Sequence, residues 1–289
     1  MGVRKPIVAG QFYEKDFQKL NKQIEECFEG KNGPGALPLK KRQGDVLGAI
    51  VPHAGYVFSG PCAAWCYKEI AESKFSDLFL ILGPNHSGFG STSTILDDWE
   101  TPFGVVKVDK SFAKKLVENS SIKEDSMAHL NEHSIEVQLP FLQFASRDNL
   151  DNLRFVAITL SYDFNLNELA SSIRKTIDES GKKVCVIASS DFTHYGSAYG
   201  YMPFSQNIKE NMKKLDYGAI DFIKKLDSKG FLNYVKEKKA TICGTSAISL
   251  LIEVLKGRAN KANLMHYYTS GDVMGDYSNA VGYAGIIFK

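Results

Sequence analysis

The sequence predicts a single α/β domain with a central, mostly parallel sheet flanked by helices on both faces. Short apolar runs alternate with amphipathic segments along almost the whole chain, and this β–α order is typical of parallel sheets covered by helices. The 289 residues are enough to bury the core of one large domain. Because the Gly/Pro-rich stretch 30–44 lies too near the N-terminus to separate two domains, we expect one domain over residues 1–289.

Strands are predicted where apolar runs are short, and helices where apolar residues recur at helical spacing. The predicted strands cover 46–51, 78–82, 105–108, 153–159, 183–188, 263–268 and 280–288. The predicted helices cover 17–28, 60–71, 112–119, 134–145, 166–179, 206–226, 228–237 and 246–255. The segments 92–96 and 105–108 flank the sequence WETPFG and predict a hairpin or an edge insertion.

The composition is that of an ordinary globular protein. The formal net charge of +2 is too near balance to predict nucleic acid or a membrane as the main partner. Five cysteines at irregular spacing argue against a disulfide framework, and no apolar run approaches the roughly 20 residues that span a bilayer. We therefore expect a cytoplasmic protein that binds neither nucleic acid nor a membrane.

Three of the six histidines lie in loops that follow an apolar run and contain glycine or proline: His53, His86 and His194. Ligands bind outside the carboxyl ends of the strands in open α/β sheets, so these three imidazoles are expected to share one pocket. Such a cluster is typical of a metal or acid–base site. The alternative for each histidine alone is a loop residue that bonds a backbone carbonyl.

Asp191 precedes His194 by three residues, so a helical turn here places both side chains on one face. A carboxylate beside an imidazole fixes its tautomer and raises its basicity, which suits a general base or a metal-bound histidine. The alternative is that Asp191 caps a helix and His194 lies in its first turn.

Cys243 directly precedes a predicted helix, whose macrodipole acidifies a thiol and makes it a better ligand or nucleophile. The alternative is a buried small apolar residue. Glu132 and His133 open another predicted helix. Either side chain is a candidate to reach the pocket and contact a metal ligand without binding the metal itself. Glu132 is equally explained as a favourable acid in a first helical turn.

The chain lacks the glycine-rich dinucleotide fingerprint, the P-loop, the nucleophile elbow GxSxG and a paired CxxC. Dinucleotide-dependent oxidoreductases, nucleoside triphosphatases and elbow hydrolases therefore lose their usual sequence support.

Seven short blocks, spread nearly from end to end, carry a family resemblance. They are RKP and AGQFY within 4–13, PHAGYVFSG at 52–60, LGPNH at 82–86, TPFG at 101–104, EHSIEVQLPF at 132–141, SSDFTHYG at 189–196 and TICG at 241–244. This set resembles the Memo family, whose members are also called AmmeMemoRadiSam system protein B. The resemblance implies a fold similar to the class III extradiol ring-cleaving dioxygenases.

By that resemblance, His53 and His86 correspond to the two histidine ligands of Fe(II) in those dioxygenases, and Cys243 takes the place of their carboxylate ligand. His194 matches the histidine that acts as acid–base catalyst, and Asp191 lies beside the metal. Memo proteins are associated with iron or copper, so we expect these metals ahead of zinc. The family's gene association implies radical-SAM and AMMECR-type proteins as partners.

A thiolate with two imidazoles favours softer ions such as Cu(I) or Zn, which argues against ring cleavage. The first hypothesis is therefore metal-dependent redox chemistry on a small molecule or a protein side chain. The second is a non-catalytic pocket that binds a peptide or protein, and the third is zinc-assisted hydrolysis with His194 as base. For the second, aromatic residues near the motifs are candidate contacts: Tyr56, Phe89, Trp99, Tyr195, Tyr199 and Tyr201.

Overall fold

The computed structural model describes residues 2–161 and 164–289, which form a mixed α/β single domain on one twelve-stranded sheet. The strands are β1 Val3–Arg4, β2 Gly48–Val51, β3 Leu78–Pro84, β4 Ser93–Thr94, β5 Asp98–Thr101, β6 Gly104–Val108, β7 Lys123–Glu124, β8 Arg154–Leu160, β9 Val184–Ser189, β10 His194–Gly196, β11 Ala262–Thr269 and β12 Asn279–Phe288. The helices are α1 Phe17–Glu29, α2 Tyr56–Glu72, α3 Lys110–Asn119, α4 Met127–Leu130, α5 Gln138–Ala145, α6 Leu166–Ser180, α7 Ile208–Lys224, α8 Ser228–Lys238, α9 Thr245–Leu255 and α10 Ser270–Met274. Short 3₁₀ turns lie at Leu150–Asn152 and Ser197–Tyr199.

The main path of the sheet runs β1-β5-β6-β8-β3-β9-β2-β12-β10, and its five central strands, β6 to β2, are parallel. Leu80 of β3 lies between Val156 of β8 and Val186 of β9. The strands β2, β3, β8 and β9 are mostly apolar and almost wholly buried, as expected when helices cover both faces of a parallel sheet, whereas β6 is mostly exposed. The predicted α/β architecture is confirmed.

Capping residues mark the ends of several helices. The Asp16 carboxylate accepts hydrogen bonds from the first-turn N–H groups of α1, and Asn165 caps α6 in the same way. Gly181 ends α6 in the left-handed region with φ 63°. The helix predicted at 134–145 begins only at Gln138, because residues 134–137 form turns in which Ser134 bonds Glu132 and Pro84.

The predicted hairpin has a different first strand. β5, which overlaps the start of the WETPFG segment, pairs with β6, whereas β4 pairs with β7 and β8. The chain turns at residues 102–103, where the Thr101 hydroxyl accepts from the Phe103 N–H, and Gly104 opens β6 with a φ of 105°, which disfavours residues with a side chain. This tight turn makes Trp-Glu-Thr a strand rather than a loop.

The order β3-β9-β2 positions the candidate site. These three parallel strands are neighbours and end at Pro84, Ser189 and Val51, so the loops that follow them leave one edge of the sheet side by side. Those loops carry His86, the Asp191–His194 segment and His53. Within residues 2–161 and 164–289, no helix combines the length and apolar character that a bilayer span needs.

Candidate metal centre

The structure brings together all five side chains that the sequence placed in one pocket. His53 follows β2, His86 follows β3, and Asp191 lies between β9 and β10, the strand that His194 opens. An isolated bridge between Thr193 and Ile242 holds the segment before α9 against this loop, which delivers Cys243 to the same place.

The candidate donor atoms lie close enough to share an ion. One ligand atom from each of His53, His86 and Cys243 lies within 4.8 Å of the others, and Cys243 Sγ is 3.2 Å from His53 Nε2. Asp191, His194 and Cys243 form a second such group within the same distance. The thiol is therefore common to both groups, and mixed imidazole and thiolate donors suit a transition metal or zinc.

Glu132 holds His86 in a defined orientation. Its Oε2 accepts from the His86 backbone N–H at 2.6 Å, and its Oε1 lies 3.0 Å from the ring Nδ1. Burial alone would raise the pKa of Glu132, but hydrogen bonding and the charge of His86 and the Ser134 N–H lower it to about 2. An ionised carboxylate only accepts, so Nδ1 of His86 carries a proton, and in the neutral ring the lone pair is on Nε2. Glu132 is thus a partner of His86 and not a first-turn acid.

His133 forms part of the pocket wall. Its ring stacks on His86 at 4.9 Å and meets His53 edge-on at 5.6 Å. Burial lowers the pKa of His133, which favours a neutral ring. With His86 and Glu132 it forms a third group of potential ligands within 4.8 Å.

The tautomer of His194 is set by backbone carbonyls. Its Nδ1 lies 3.0 Å from both the Phe192 and the Thr241 carbonyl oxygens. Carbonyls only accept hydrogen bonds, so Nδ1 is the protonated nitrogen and Nε2 is free to take or give a proton in the pocket.

The local geometry predicted for Asp191 is wrong in both of its versions. No helix contains Asp191 or His194, because His194 opens β10 and pairs with Val281 of β12. The Asp191 carboxylate instead accepts from the His53 backbone N–H at 2.8 Å. Burial raises the pKa of Asp191, against the lowering effect of the nearby His194 charge.

The expected acidification of Cys243 is also wrong. Burial first, and then the Asp191 charge, raise the pKa of the thiol well above its ordinary value. The helix macrodipole is outweighed because the sulfur lies among buried groups, although it accepts from the Asp191 backbone N–H at 3.3 Å. A cation bound to this sulfur has to displace the thiol proton.

The pocket beside these groups has a volume of about 380 Å³ and largely apolar walls. Of the aromatic residues expected to contact a ligand, only Tyr199 lines it. Tyr56, Trp99 and Tyr195 are packed in buried clusters, and Phe89 is exposed. The sequence reasoning missed Phe12, Phe58 and Tyr283 as wall residues; the first two lie within the family blocks at 4–13 and 52–60, which was the available signal.

Asp216 is a buried residue that the sequence reasoning missed, and it anchors the Asp191–His194 loop from behind. Its carboxylate accepts from the Thr193 backbone N–H at 3.1 Å, from the Thr193 hydroxyl, and from the Tyr267 hydroxyl at 2.8 Å. No sequence motif marks it, because it lies on α7, 23 residues along the chain from Thr193, the loop residue that it contacts.

We expect Asp216→Ala to lower the free energy of unfolding by at least about 2 kcal/mol, because three buried donors lose their acceptor. Urea unfolding measures this, with Asp221→Ala as control, an exposed acid on the same helix.

Burial raises the pKa of Asp216 to about 6 although Thr193 and Tyr267 lower it. Protonation therefore adds stability that is complete below about pH 4 and is lost as the pH rises through about 6. The deficit should be larger near pH 4.5 than near pH 7.5; equal unfolding midpoints for both variants would contradict this role.

Comparison with known proteins settles the family. A family model described as Memo-like protein matches residues 4–287. The chain belongs to the Memo family. Relatives include MEMO1 family proteins of Methanopyrus kandleri, 42% identical over 99% of both chains, and of Desulfurococcus amylolyticus, 40% identical over all of this chain and 99% of the relative. The Memo resemblance expected from the sequence blocks is confirmed.

The Memo chain also shares its fold with a solved structure of very different sequence. An uncharacterised protein of Escherichia coli K12 superposes with a TM-score of 0.56 at 8% identity, covering 85% of this chain and all of the other. At this identity the likeness concerns the fold alone.

Proposed function

We propose that this Memo-family protein binds a transition metal through His53, His86 and Cys243 and uses it for redox chemistry on a small molecule or peptide. The observation that carries the proposal is the convergence of two imidazoles and one thiol, with donor atoms within 4.8 Å. Of the three, only His53 is buried, whereas Cys243 is partly buried and His86 is exposed, so an ion can reach the group from the pocket. Iron or copper are the proposed metals, with zinc as the alternative.

The donor set fits such an ion on its own chemistry. His86 is held with Nδ1 protonated, so its Nε2 offers a lone pair, and the Cys243 thiol adds a soft ligand. A bound iron or copper ion would supply one-electron chemistry and polarise a bound substrate.

The other polar groups of the pocket have proton-handling and positioning roles in this proposal. His194 takes or gives the proton at Nε2, because its Nδ1 is committed to backbone carbonyls. Tyr199 meets the His194 ring edge-on at 5.1 Å and limits its movement. Asp191 fixes the His53 backbone and lies beside the thiol. We place this chemistry in the cytoplasm, which the five free cysteines support.

Elemental analysis of the protein purified without air tests the metal site. We expect close to one equivalent of iron or copper in the wild type and a loss of most of it in His53→Ala, because a ligand is removed. His266→Ala is the matched control, since His266 is a partly buried imidazole outside the pocket. Undiminished metal in His53→Ala would contradict the assignment, and zinc alone would favour hydrolysis over redox chemistry.

The second candidate function is recognition of a peptide or protein without turnover. The wall of the pocket favours it, because Phe12, Phe58, Tyr199 and Tyr283 offer rings on which an apolar side chain could pack. Peptide binding that survives His194→Ala and Cys243→Ala would support this function over catalysis.

A further inference from the structure

Two buried polar side chains lie behind His53 and outside the pocket lining: Ser189 at the end of β9 and Gln138 at the start of α5. Their hydrogen bonds bear on which ring nitrogen of His53 carries the proton. The Nδ1 atoms of His86 and His194 face a carboxylate and carbonyls, which can only accept, whereas Nδ1 of His53 faces the Ser189 hydroxyl at 2.9 Å. A hydroxyl can donate or accept, so this contact alone leaves the tautomer of His53 open.

The side-chain amide of Gln138 has one orientation. Its Nε2 lies 3.0 Å from the Pro52 carbonyl oxygen, which can only accept, so this end of the amide is the donor. Its Oε1 accepts from the Tyr67 hydroxyl at 2.9 Å. The remaining N–H of Gln138 is directed at Ser189 Oγ, 2.8 Å away.

The single hydrogen of the Ser189 hydroxyl is also committed. Ser189 Oγ lies 2.7 Å from the Ser134 carbonyl oxygen, which again only accepts, so the hydroxyl donates there. One lone pair of Oγ already accepts from Gln138. The other lone pair faces His53 Nδ1, and the ring nitrogen must then be the donor in that contact.

We infer that Gln138 and Ser189 are positioning residues that hold His53 in the Nδ1-protonated tautomer and direct its Nε2 lone pair towards Cys243. The chain of donors runs from Gln138 to Ser189, from Ser189 to the Ser134 carbonyl, and from His53 to Ser189. In the neutral ring, the lone pair is then on Nε2, which lies 3.2 Å from the sulfur of Cys243. This inference deepens the proposed metal site and rests on it for its function, but the tautomer itself is a property of the protein alone.

Nitrogen NMR on chelator-treated full-length protein carrying ¹⁵N-histidine tests the tautomer directly. We expect His53, identified by the signal lost in His53→Gln, to show a protonated Nδ1 and a bare Nε2 in the wild type. In Ser189→Ala the ring loses its fixed acceptor, so the Nε2-protonated form should become populated. Ser249→Ala is the matched control, a buried serine whose hydroxyl bonds within α9, and it should leave the His53 signal unchanged.

Metal affinity gives a second and separate readout. Competition with a chromophoric chelator should show that Ser189→Ala weakens Zn(II) and Cu(I) binding about 10–100-fold, as expected when a partner outside the ligand set is removed. Ser189→Thr, which keeps the hydroxyl, should restore the wild-type tautomer and most of the affinity.

The two readouts separate this inference from the proposed function. A wild-type His53 protonated on Nε2, or a Ser189→Ala variant with unchanged tautomer, overturns the positioning role even if metal binds. If the wild type shows the expected tautomer but binds no metal, the positioning role of Gln138 and Ser189 is supported and the proposed function is wrong. The wild-type measurement does not depend on Ser189→Ala, so a Ser189→Ala protein that fails to fold leaves the test intact.

Discussion

Cys243→Asp should lower the affinity of the protein for Cu(I) at least about 100-fold while Fe(II) binding is largely kept. Losing a residue that only hydrogen-bonds a metal ligand lowers metal affinity roughly 10–100-fold, and losing a ligand itself should lower it by more. Cu(I) prefers sulfur donors, whereas two histidines with one carboxylate are a frequent set for Fe(II). A metal-bound thiolate and a metal-bound carboxylate each carry one negative charge beside His53 and His86, so the change of donor atom is what the experiment measures.

The measurement is a Cu(I) competition titration and an anaerobic Fe(II) titration, each on the wild type and on Cys243→Asp. Cys185→Ala is the matched control, because Cys185 is a buried free thiol in β9 that does not line the pocket. We expect this control to match the wild type for both ions. An unchanged Cu(I) affinity in Cys243→Asp would exclude the sulfur from the donor set.

Glu136→Gln should destabilise the whole fold by about 3–5 kcal/mol, because it removes one partner of a buried ion pair. The Glu136 side chain is fully buried, and its Oε2 lies 2.7 Å from Nη1 of Arg4, whose side chain is only 8% exposed. The same carboxylate accepts from the backbone N–H groups of Ile7 and Val8 and from the Tyr13 hydroxyl. It therefore ties the N-terminal segment to the turn before α5, and a neutral amide cannot accept all of these bonds.

Chemical unfolding followed by circular dichroism checks this effect. Glu26→Gln is the control, since the Lys22–Glu26 pair on α1 is solvent-exposed and spans 3.7 Å, and exposed pairs contribute little. A Glu136→Gln midpoint equal to that of Glu26→Gln would show that the buried network does not support the fold.

The same network explains two of the family blocks. Arg4 and Tyr13 belong to the first block, and Glu136 belongs to the block at 132–141. The sequence showed that these segments matched a family pattern, but not that they bond each other. Their role here is structural, and Phe12 of the same first block reaches the pocket wall, where it meets the His133 ring edge-on at 4.8 Å.

Local patterns were sufficient for the buried central strands and most of the helices, but not for the short strands β1, β5, β7 and β10. The runs predicted at 78–82, 153–159 and 183–188 are β3, β8 and β9, extended or shifted by one or two residues. They could be read because a buried parallel strand is continuously apolar and ends at a turn. The hairpin strand was misplaced because Trp and Thr in WETPFG have strand character that the flanking turn residues concealed.

By itself, the sequence determined the fold class, the family and five polar side chains that the structure brings together, because hydrophobic period, turn residues and motif spacing are all local properties of the chain. Only the tertiary structure decided what each group does there. Glu132 bonds His86 across 46 residues, Ser189 bonds His53 across 136, and Cys243 meets His53 across 190. The protonated nitrogen of each histidine and the raised pKa of the thiol follow from these distant contacts and from burial, which depend on the order of strands in the sheet.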